Sequence, residues 1–519
     1  MKWLLLAVVA IVSSIGAAVA DSSDSEVMRS YARARAVLDA GVAAMGGAEA
    51  LTSLTSVTRE FENHRTNPGQ GPRPFDGAPT IDKFPIFSLT PTTSVIDYVG
   101  ERLRFSQRFL SRSTKEWLTA IDAGGPAGGF STIAYRDETP VYTANPAAVS
   151  RDFITRESRT YPEAILRAAL RRPATLQWFG EAAIGGRRAQ LISFVDADAT
   201  RVVLSFDEQT RLLVRSEVLS EHPYLGQATA ASVYQDYRKT GRLLLPYRVE
   251  AWRNEEPLRI MFISKIELDS RTDDATFAAP RERIDAPPIP GDPVLTSLGN
   301  DVYAVMGADN AMFAVFPEYV VLIESPRRES FAGQIFRLIE SVAPGKPVKL
   351  VSTHFHEDHI GGVRYAASRG AEIWTTHHGK IAIERTLRVR WTIRPDEFAR
   401  APRDVTINVI DKKQVFQAGK QRVEIAQVGP TEHTDQMLAV FFPSIGTLYT
   451  ADVWDVPAPS VPTPGPDAAQ IVPRIAALGW KVQRMIPTHG VPASVEDLNR
   501  SLEIRAKYMR GADTKHRLR

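Results

Sequence analysis

The sequence predicts two domains of the α/β class: a mostly antiparallel β domain, then a layered domain of alternating strands and helices. Three observations carry this reading. Stretches such as "RRAQLISFVD", "TRVVLSFD" and "TRLLVRSEVL" alternate apolar and polar residues between Gly- or Asp-containing turns, the period of half-buried strands. Further along, strand-like runs alternate with helical ones, the pattern of a layered α/β fold. Between the two regions, "APRERIDAPPIPGDPV" (residues 279–294) places five prolines between Pro280 and Pro293, which makes a stiff, extended connector. The domains are therefore read as residues 21–285 and 295–519, joined by a linker over 286–294.

The chain opens on Met1 and Lys2, an apolar run over residues 3–12, and Ala18-Val19-Ala20 before Asp21. A positive start, a short apolar stretch and a small-residue site predict a cleaved signal peptide over residues 1–20, since the run is too short to remain as a membrane span. The expected location is the periplasm or the exterior, and no later stretch has the length of apolar sequence needed to cross a bilayer. Residues 25–45 have helical spacing and stop at Gly46-Gly47. The strand-like series that follows implies one large antiparallel sheet. The phrases "MGGAEAL" and "YQDYRKTGRLLLPYRVE" resemble exported bacterial domains built on the half-barrel of outer-membrane lipoprotein carriers. That resemblance implies a sheet that either holds a lipid or other apolar ligand or packs against the second domain.

In the second domain, "DVYAVMG" and "MFAVFPEYVVLIES" read as strands, and residues 331–342 repeat apolar positions with helical spacing until Pro344-Gly345. "PVKLVS" is a strand that runs directly into "THFHEDHIGG", residues 353–362. Strand-like "QRVEIAQV", "QMLAVFF" and "GTLYTA" follow, then helical "DAAQIVPRIAALG" and a last helix that Ser494 can cap.

Composition removes several classes of function. With no cysteine, disulfides, thiolate metal ligands and a cysteine nucleophile are all excluded. Lys and Arg number 63 against 60 Asp and Glu, without a basic block, which gives little reason to expect nucleic acid as a partner.

The stretch "THFHEDHIGG" holds three of the ten histidines. His354 and His356, two positions apart on extended backbone, share a direction. Asp358 and His359 follow where the loop turns, and Gly361-Gly362 is expected to let the backbone bend tightly before the next helix. Two such pairs facing neighbouring points form a layout for two metal ions. A catalytic zinc normally takes three protein ligands and keeps a position open for water, so further ligands are expected at other strand ends. The candidates are His433 in "VGPTEHTDQM", Asp452 in "TLYTADVWD" and His489 in "RMIPTHGVP".

His-x-His-x-Asp-His followed by histidine, aspartate and histidine in that order resembles the metallo-β-lactamase superfamily of hydrolases, over roughly residues 295–510. The resemblance implies an αββα sandwich with metals at one edge of its two sheets. It implies one metal on His354, His356 and His433, a second on Asp358, His359 and His489, and Asp452 bridging them. Two Zn2+ ions are expected, although iron or manganese suits the same donors. The implied chemistry is attack by a metal-bridging hydroxide on an ester, thioester, lactone or amide carbonyl, with Asp358 and Asp452 as the catalytic carboxylates that orient it. Asp452 is more like the thioesterase, lactonase and phosphodiesterase branches than the β-lactamases. Two departures from the family pattern are Glu324, where relatives usually carry aspartate, and Ala451, where glycine is common.

Rival readings are a β-lactam- or phosphodiester-hydrolysing enzyme, a single-iron dioxygenase, and a non-catalytic lipid-binding carrier. No substrate-binding residue is assigned. His377 and His378 are expected in a solvated loop, and Arg388, Arg390 and Trp391 on an ordinary charged helix face. His64, His222 and His516 fall outside the metal pattern.

Overall fold

The computed structural model describes residues 25–66, 69–74, 88–110, 117–135, 139–254, 256–286, 292–456 and 466–516. The signal peptide read at residues 1–20 and most of the proline-rich connector, residues 287–291, lie outside them.

The first domain is built on one 14-stranded sheet in which every neighbouring pair is antiparallel except the short Ile284–Asp285, which runs parallel to Val141–Asn145. Its first strand, Ser56–Arg65, lies inside the sheet between Ser88–Asp97 and Glu256–Leu268. The chain meanders outward to Val141–Asn145, and the helices Ala147–Ser158 and Pro162–Leu170 carry it to the far edge strand Gln177–Ile184. It then meanders back. The period-2 pattern survives folding: Gln177–Ile184 alternates exposed and half-buried residues along its whole length.

The first helix, Glu26–Ala44, buries Ala34, Val37, Leu38, Gly41 and Val42, the spacing of a single helical face. A side chain at Gly41 would meet the Phe206 ring within 2.2 Å, so this glycine is what lets helix and sheet approach. This face and that of Pro162–Leu170 share one apolar core with the sheet. Within it Arg59 and Glu163 form a buried ion pair at 2.5 Å, with Tyr98 Oη donating to the same carboxylate at 3.0 Å and the Tyr161 ring 4.1 Å from the guanidinium. The sheet face that the lipid-carrier reading requires is thus packed by the domain's own helices, which give that reading no support.

The second domain has two sheets. One follows the order Val294–Gly299, Val302–Met306, Ala311–Val315, Val320–Ile323, Val348–Val351, Glu372–Thr375, Ile407–Val409. Its last four strands are parallel, and helices Glu329–Val342, Val363–Ser368 and His377–Arg388 supply the crossovers. The other sheet runs Lys413–Ala418, Gln421–Gln427, Leu438–Phe442, Thr447–Ala451, Arg484–Pro487, Ala493–Ser494.

Buried Val302, Met312, Val321 and Val351 of the first sheet pack on Val423, Val440, Tyr449 and Ile486 of the second. The outer faces are covered by helices, through Ile335, Ile339 and Val363 on one side and Ile471, Leu498 and Leu502 on the other. Each sheet is apolar on both faces, and helix–sheet–sheet–helix layering is the arrangement that buries all four. This is the αββα sandwich. The last helix, Val495–His516, is capped as its sequence suggests: Ser494 Oγ accepts from Asp497 N–H at 3.1 Å, and Asp497 Oδ2 accepts from Ser494 N–H at 3.0 Å.

The two domains touch. Tyr224, 3% exposed, and Leu225 of the first domain pack into the helical layer of the second, a burial worth roughly 2 kcal/mol for a side chain of that size. No helix among the described residues is long and apolar enough to cross a membrane.

Candidate metal centre

The strand directions bring the predicted ligands to one edge. Val348–Val351, Gln421–Gln427, Thr447–Ala451 and Arg484–Pro487 end there, and they are followed by the His354 to His359 loop, His433, Asp452 and His489. In the first loop His356 precedes the short helix Glu357–Ile360, which turns Asp358 and His359 toward a point beside His354 and His356.

Gly361 and Gly362 serve a different purpose from the tight bend expected of them, because both have ordinary negative φ, −61° and −94°. A Cβ on Gly361 would lie 1.9 Å from the Arg327 carbonyl, and one on Gly362 2.6 Å from the Ser325 carbonyl. They permit close approach of two backbones, which seats the ligand loop against the segment after Val320–Ile323.

All seven candidate residues converge in two groups: His354, His356, His433 and Asp452, then Asp358, His359, His489 and Asp452. Asp452 belongs to both. Its Oδ2 lies 3.3 Å from His433 Nε2 and 3.9 Å from His354 Nε2, while its Oδ1 lies 3.0 Å from His359 Nε2 and 3.5 Å from His489 Nε2. His354 Nε2 and His433 Nε2 face one another at 3.3 Å, and His489 Nε2 is 3.2 Å from Asp358 Oδ2. Donors placed about 2.0–2.2 Å from a tetrahedral ion stand about 3.3–3.6 Å apart, so these spacings suit a metal. Buried His356 Nδ1 has no hydrogen-bond partner. Buried polar atoms left this way cost stability unless something else pairs with them, and a cation would.

A second layer orients the rings. His489 Nδ1 lies 2.9 Å from Asp309 Oδ1, and His354 Nδ1 lies 3.1 Å from Thr353 Oγ1. Glu324, fully buried, accepts the Thr353 N–H at 3.0 Å and lies 3.5 Å from His359 Nδ1. The glutamate noted as a departure thus reaches the ligand loop, from a backbone at φ 72°. Ala451 has φ 48°, the left-handed region where glycine is the unstrained choice. Its methyl group lies in the inter-sheet core.

Two other expectations are corrected. His377 and His378 do not lie in a solvated loop; they open the helix His377–Arg388, capped by Thr376, and the His378 N–H donates to Gln436 Oε1 at 2.8 Å. His378 lines an open cleft of about 550 Å3 with Arg73, Gln427, Gly429, Pro430, Asp435 and Gln436, beside the His433 loop. Arg390 and Trp391 do not form a charged helix face, because the helix ends at Arg388. The segment after it docks on the first domain instead, where the Arg390 carbonyl accepts from Gln227 N–H at 3.1 Å and Arg394 pairs with Glu221 at 2.6 Å. The signal missed was Gly226, where a Cβ would lie 2.4 Å from the Arg390 carbonyl.

Burial sets the electrostatics of the cluster. Burial and the rings of His359 and His356 hold His354 well below the usual imidazole pKa, and burial with His433 lowers His356 to about 3. Both rings are neutral and keep a lone pair. Burial also opposes charge on His359, but Asp452 and Glu324 outweigh it and raise that pKa. Burial opposes charge on His489 too, and its bonds to Asp309 and Asp358 raise it to about 11. Burial would raise Asp452, yet His359 and His433 hold it well below the carboxylate range.

The metal-free cluster therefore carries protons on His359 and His489 that a metal must displace. Below those pKa values each proton competes, so apparent zinc affinity should fall by about tenfold per pH unit for each proton displaced. Chelator competition between pH 6 and 8 checks this, and an affinity independent of pH would contradict it.

Residues 308–474 match the family model described as "Metallo-beta-lactamase superfamily". Among solved structures, the chain is similar to a metallo-β-lactamase from Pontibacter korlensis, with 17% identity over 41% of this chain and 99% of that one and a TM-score of 0.33. It is similar to the DIM-1 metallo-β-lactamase at 14% identity, over 42% of this chain and 99% of that one, with a TM-score of 0.33. A third is the FIM-1 metallo-β-lactamase from Pseudomonas aeruginosa in its mono-zinc form, at 16% identity over 42% of this chain and 97% of that one, with a TM-score of 0.32. Among curated proteins, none matches.

Proposed function

We propose, from the match of residues 308–474 to the metallo-β-lactamase superfamily model, that this chain is an exported dinuclear zinc hydrolase of small-molecule esters, thioesters, lactones or amides. The observation that carries the reading is the buried Asp452 carboxylate, which turns one oxygen to each of two histidine groups. His354, His356 and His433 would hold one ion, and Asp358, His359 and His489 the other. Two divalent ions so held supply a nucleophilic hydroxide near neutral pH and polarise a carbonyl oxygen.

The chain's own residues do the rest. Asp452 and Asp358 balance the cationic charge and fix where the nucleophile stands. The buried His354, His356 and His359 keep bulk water off one side of the centre, which strengthens every charge interaction there. The cleft of about 550 Å3 beside the His433 loop is of a size that suits a small molecule. Nitrogen and oxygen donors without a thiolate suit zinc, iron or manganese, with zinc taken as the default, and export rests on the signal-like residues 1–20.

The test is elemental analysis of the purified full chain together with a hydrolysis panel of a p-nitrophenyl ester, a thioester, a lactone, a β-lactam and a phosphodiester. The expected result is about two zinc per chain and carbonyl hydrolysis that chelation abolishes. One iron per chain would replace this reading with the dioxygenase. Hydrolysis of the phosphodiester or β-lactam alone would replace it with those activities. No metal after incubation with zinc would leave the carrier.

A further inference from the structure

The first domain reaches into the metal centre. Residues 69–74, which lie between the strands Ser56–Arg65 and Ser88–Asp97, place Gln70 Nε2 2.7 Å from Asp358 Oδ1 and the Gly71 carbonyl 3.0 Å from His356 Nε2. The segment is anchored on the loop that carries His433. The Pro72 carbonyl accepts from Asp435 N–H at 2.9 Å, and Arg73 Nε lies 2.5 Å from Asp435 Oδ2. On the other side of the ligand loop, His222 of the first domain lies 3.3 Å from Glu357 Oε2.

The Gly71 contact decides which nitrogen of His356 can bind a metal. A carbonyl oxygen has no proton to give, so His356 Nε2 must be the protonated nitrogen and donate. In the neutral ring the lone pair then sits on Nδ1, the buried atom without a hydrogen-bond partner. Gln70 acts similarly on Asp358. Its amide N–H donates to Oδ1, which holds the carboxylate with Oδ2 toward His489 Nε2 at 3.2 Å. Thr353, Glu324 and Asp309 of the second domain stand behind His354, His359 and His489, and the partner of His356 comes from the first.

We infer that Gln70 and Gly71 are positioning residues for the metal ligands Asp358 and His356, which makes the first domain a structural part of the metal centre. This rests on the metal-centre reading above. Partners behind metal ligands typically account for about 10- to 100-fold in metal affinity.

The test uses the full chain with Gln70→Ala, and a second variant that removes residues 69–73 to withdraw the Gly71 carbonyl as well. Zinc affinity is measured by chelator competition, and the cobalt(II)-loaded proteins are compared by absorption spectrum. The expected result is a loss of about tenfold in zinc affinity for Gln70→Ala and up to about 100-fold for the shortened segment. For Gln70→Ala, which leaves the Pro72 and Arg73 contacts to Asp435 in place, the cobalt spectrum should shift while the melting temperature of the metal-free protein stays unchanged, which a purely structural role would not produce. Affinities within about twofold of the parent and an unchanged spectrum would overturn the inference while leaving the metal centre intact. A parent chain that binds no zinc would overturn both.

Discussion

Replacing His354 and Asp452 together with alanine should empty both halves of the metal centre and lower hydrolysis by at least about a thousandfold, the equivalent of about 4 kcal/mol of lost stabilisation. His354 contributes a buried Nε2 facing His433 at 3.3 Å, and Asp452 is the one candidate ligand shared by the two groups. Without them neither group keeps its full set of donors. Asp452→Asn is the sharper variant, because it preserves volume and removes charge. It should cost the His359 and His489 group most, since Asp452 Oδ1 lies 3.0 Å from one ring and 3.5 Å from the other. Elemental analysis beside steady-state kinetics decides the matter. Full metal content and undiminished turnover in the double variant would remove Asp452 and His354 from the site.

The second large effect concerns stability. Arg364→Ala should destabilise the second domain by about 3–5 kcal/mol, the range for breaking a buried ion pair from one side. Arg364 and Asp396 are each about 4% exposed and meet through two contacts, 2.5 Å and 2.9 Å. The guanidinium also donates to the Thr386 and Leu387 carbonyls, both at 3.0 Å. Removing it leaves a buried carboxylate without its counter-charge, held only by the Ala399 N–H at 2.8 Å, and takes the guanidinium donor from two carbonyls.

Lysine would not restore the pair, because an ammonium cannot make the forked contact. Arg364 stands just after Gly361-Gly362 on the helix Val363–Ser368, so the pair ties the ligand loop to the segment that docks on the first domain. The control is Arg388→Ala, whose partner Glu384 lies 3.5 Å away with the arginine 78% exposed; it should cost under about 0.5 kcal/mol. Urea denaturation followed by tryptophan fluorescence reads both, and a loss below about 1 kcal/mol for Arg364→Ala would contradict the assigned role.

Much of this fold was legible along the chain because its signals are local. Strand period, helical spacing and glycine or proline punctuation depend on neighbours within a few residues, and they located the helix Glu26–Ala44, strands such as Arg187–Val195 and Leu438–Phe442, and the Ser494 cap. The ligand types were legible for the same reason, since three histidines and two carboxylates crowd into residues 353–362. Reading Gly361-Gly362 as a flexible bend failed because a glycine's sequence context does not say whether it is needed for its φ or for what lies against it. His378 and Arg390 were misplaced because the groups their backbones bond to, Gln436 and Gln227, come from far along the chain or from the other domain.

The sequence by itself determined the class of each domain, the kind of donor available to a metal and the absence of a thiolate. Those are matters of composition and short-range order. Only the tertiary structure decided that Asp452 stands between two histidine groups, that Glu324, Asp309 and Thr353 stand behind the rings, and that Gln70 and Gly71 cross from the first domain to reach Asp358 and His356. The last contacts join residues 285 or more positions apart. Which nitrogen of a ring faces a metal is fixed by a hydrogen bond on its other side, and the donor or acceptor of that bond can come from anywhere in the chain that packing brings within 3 Å.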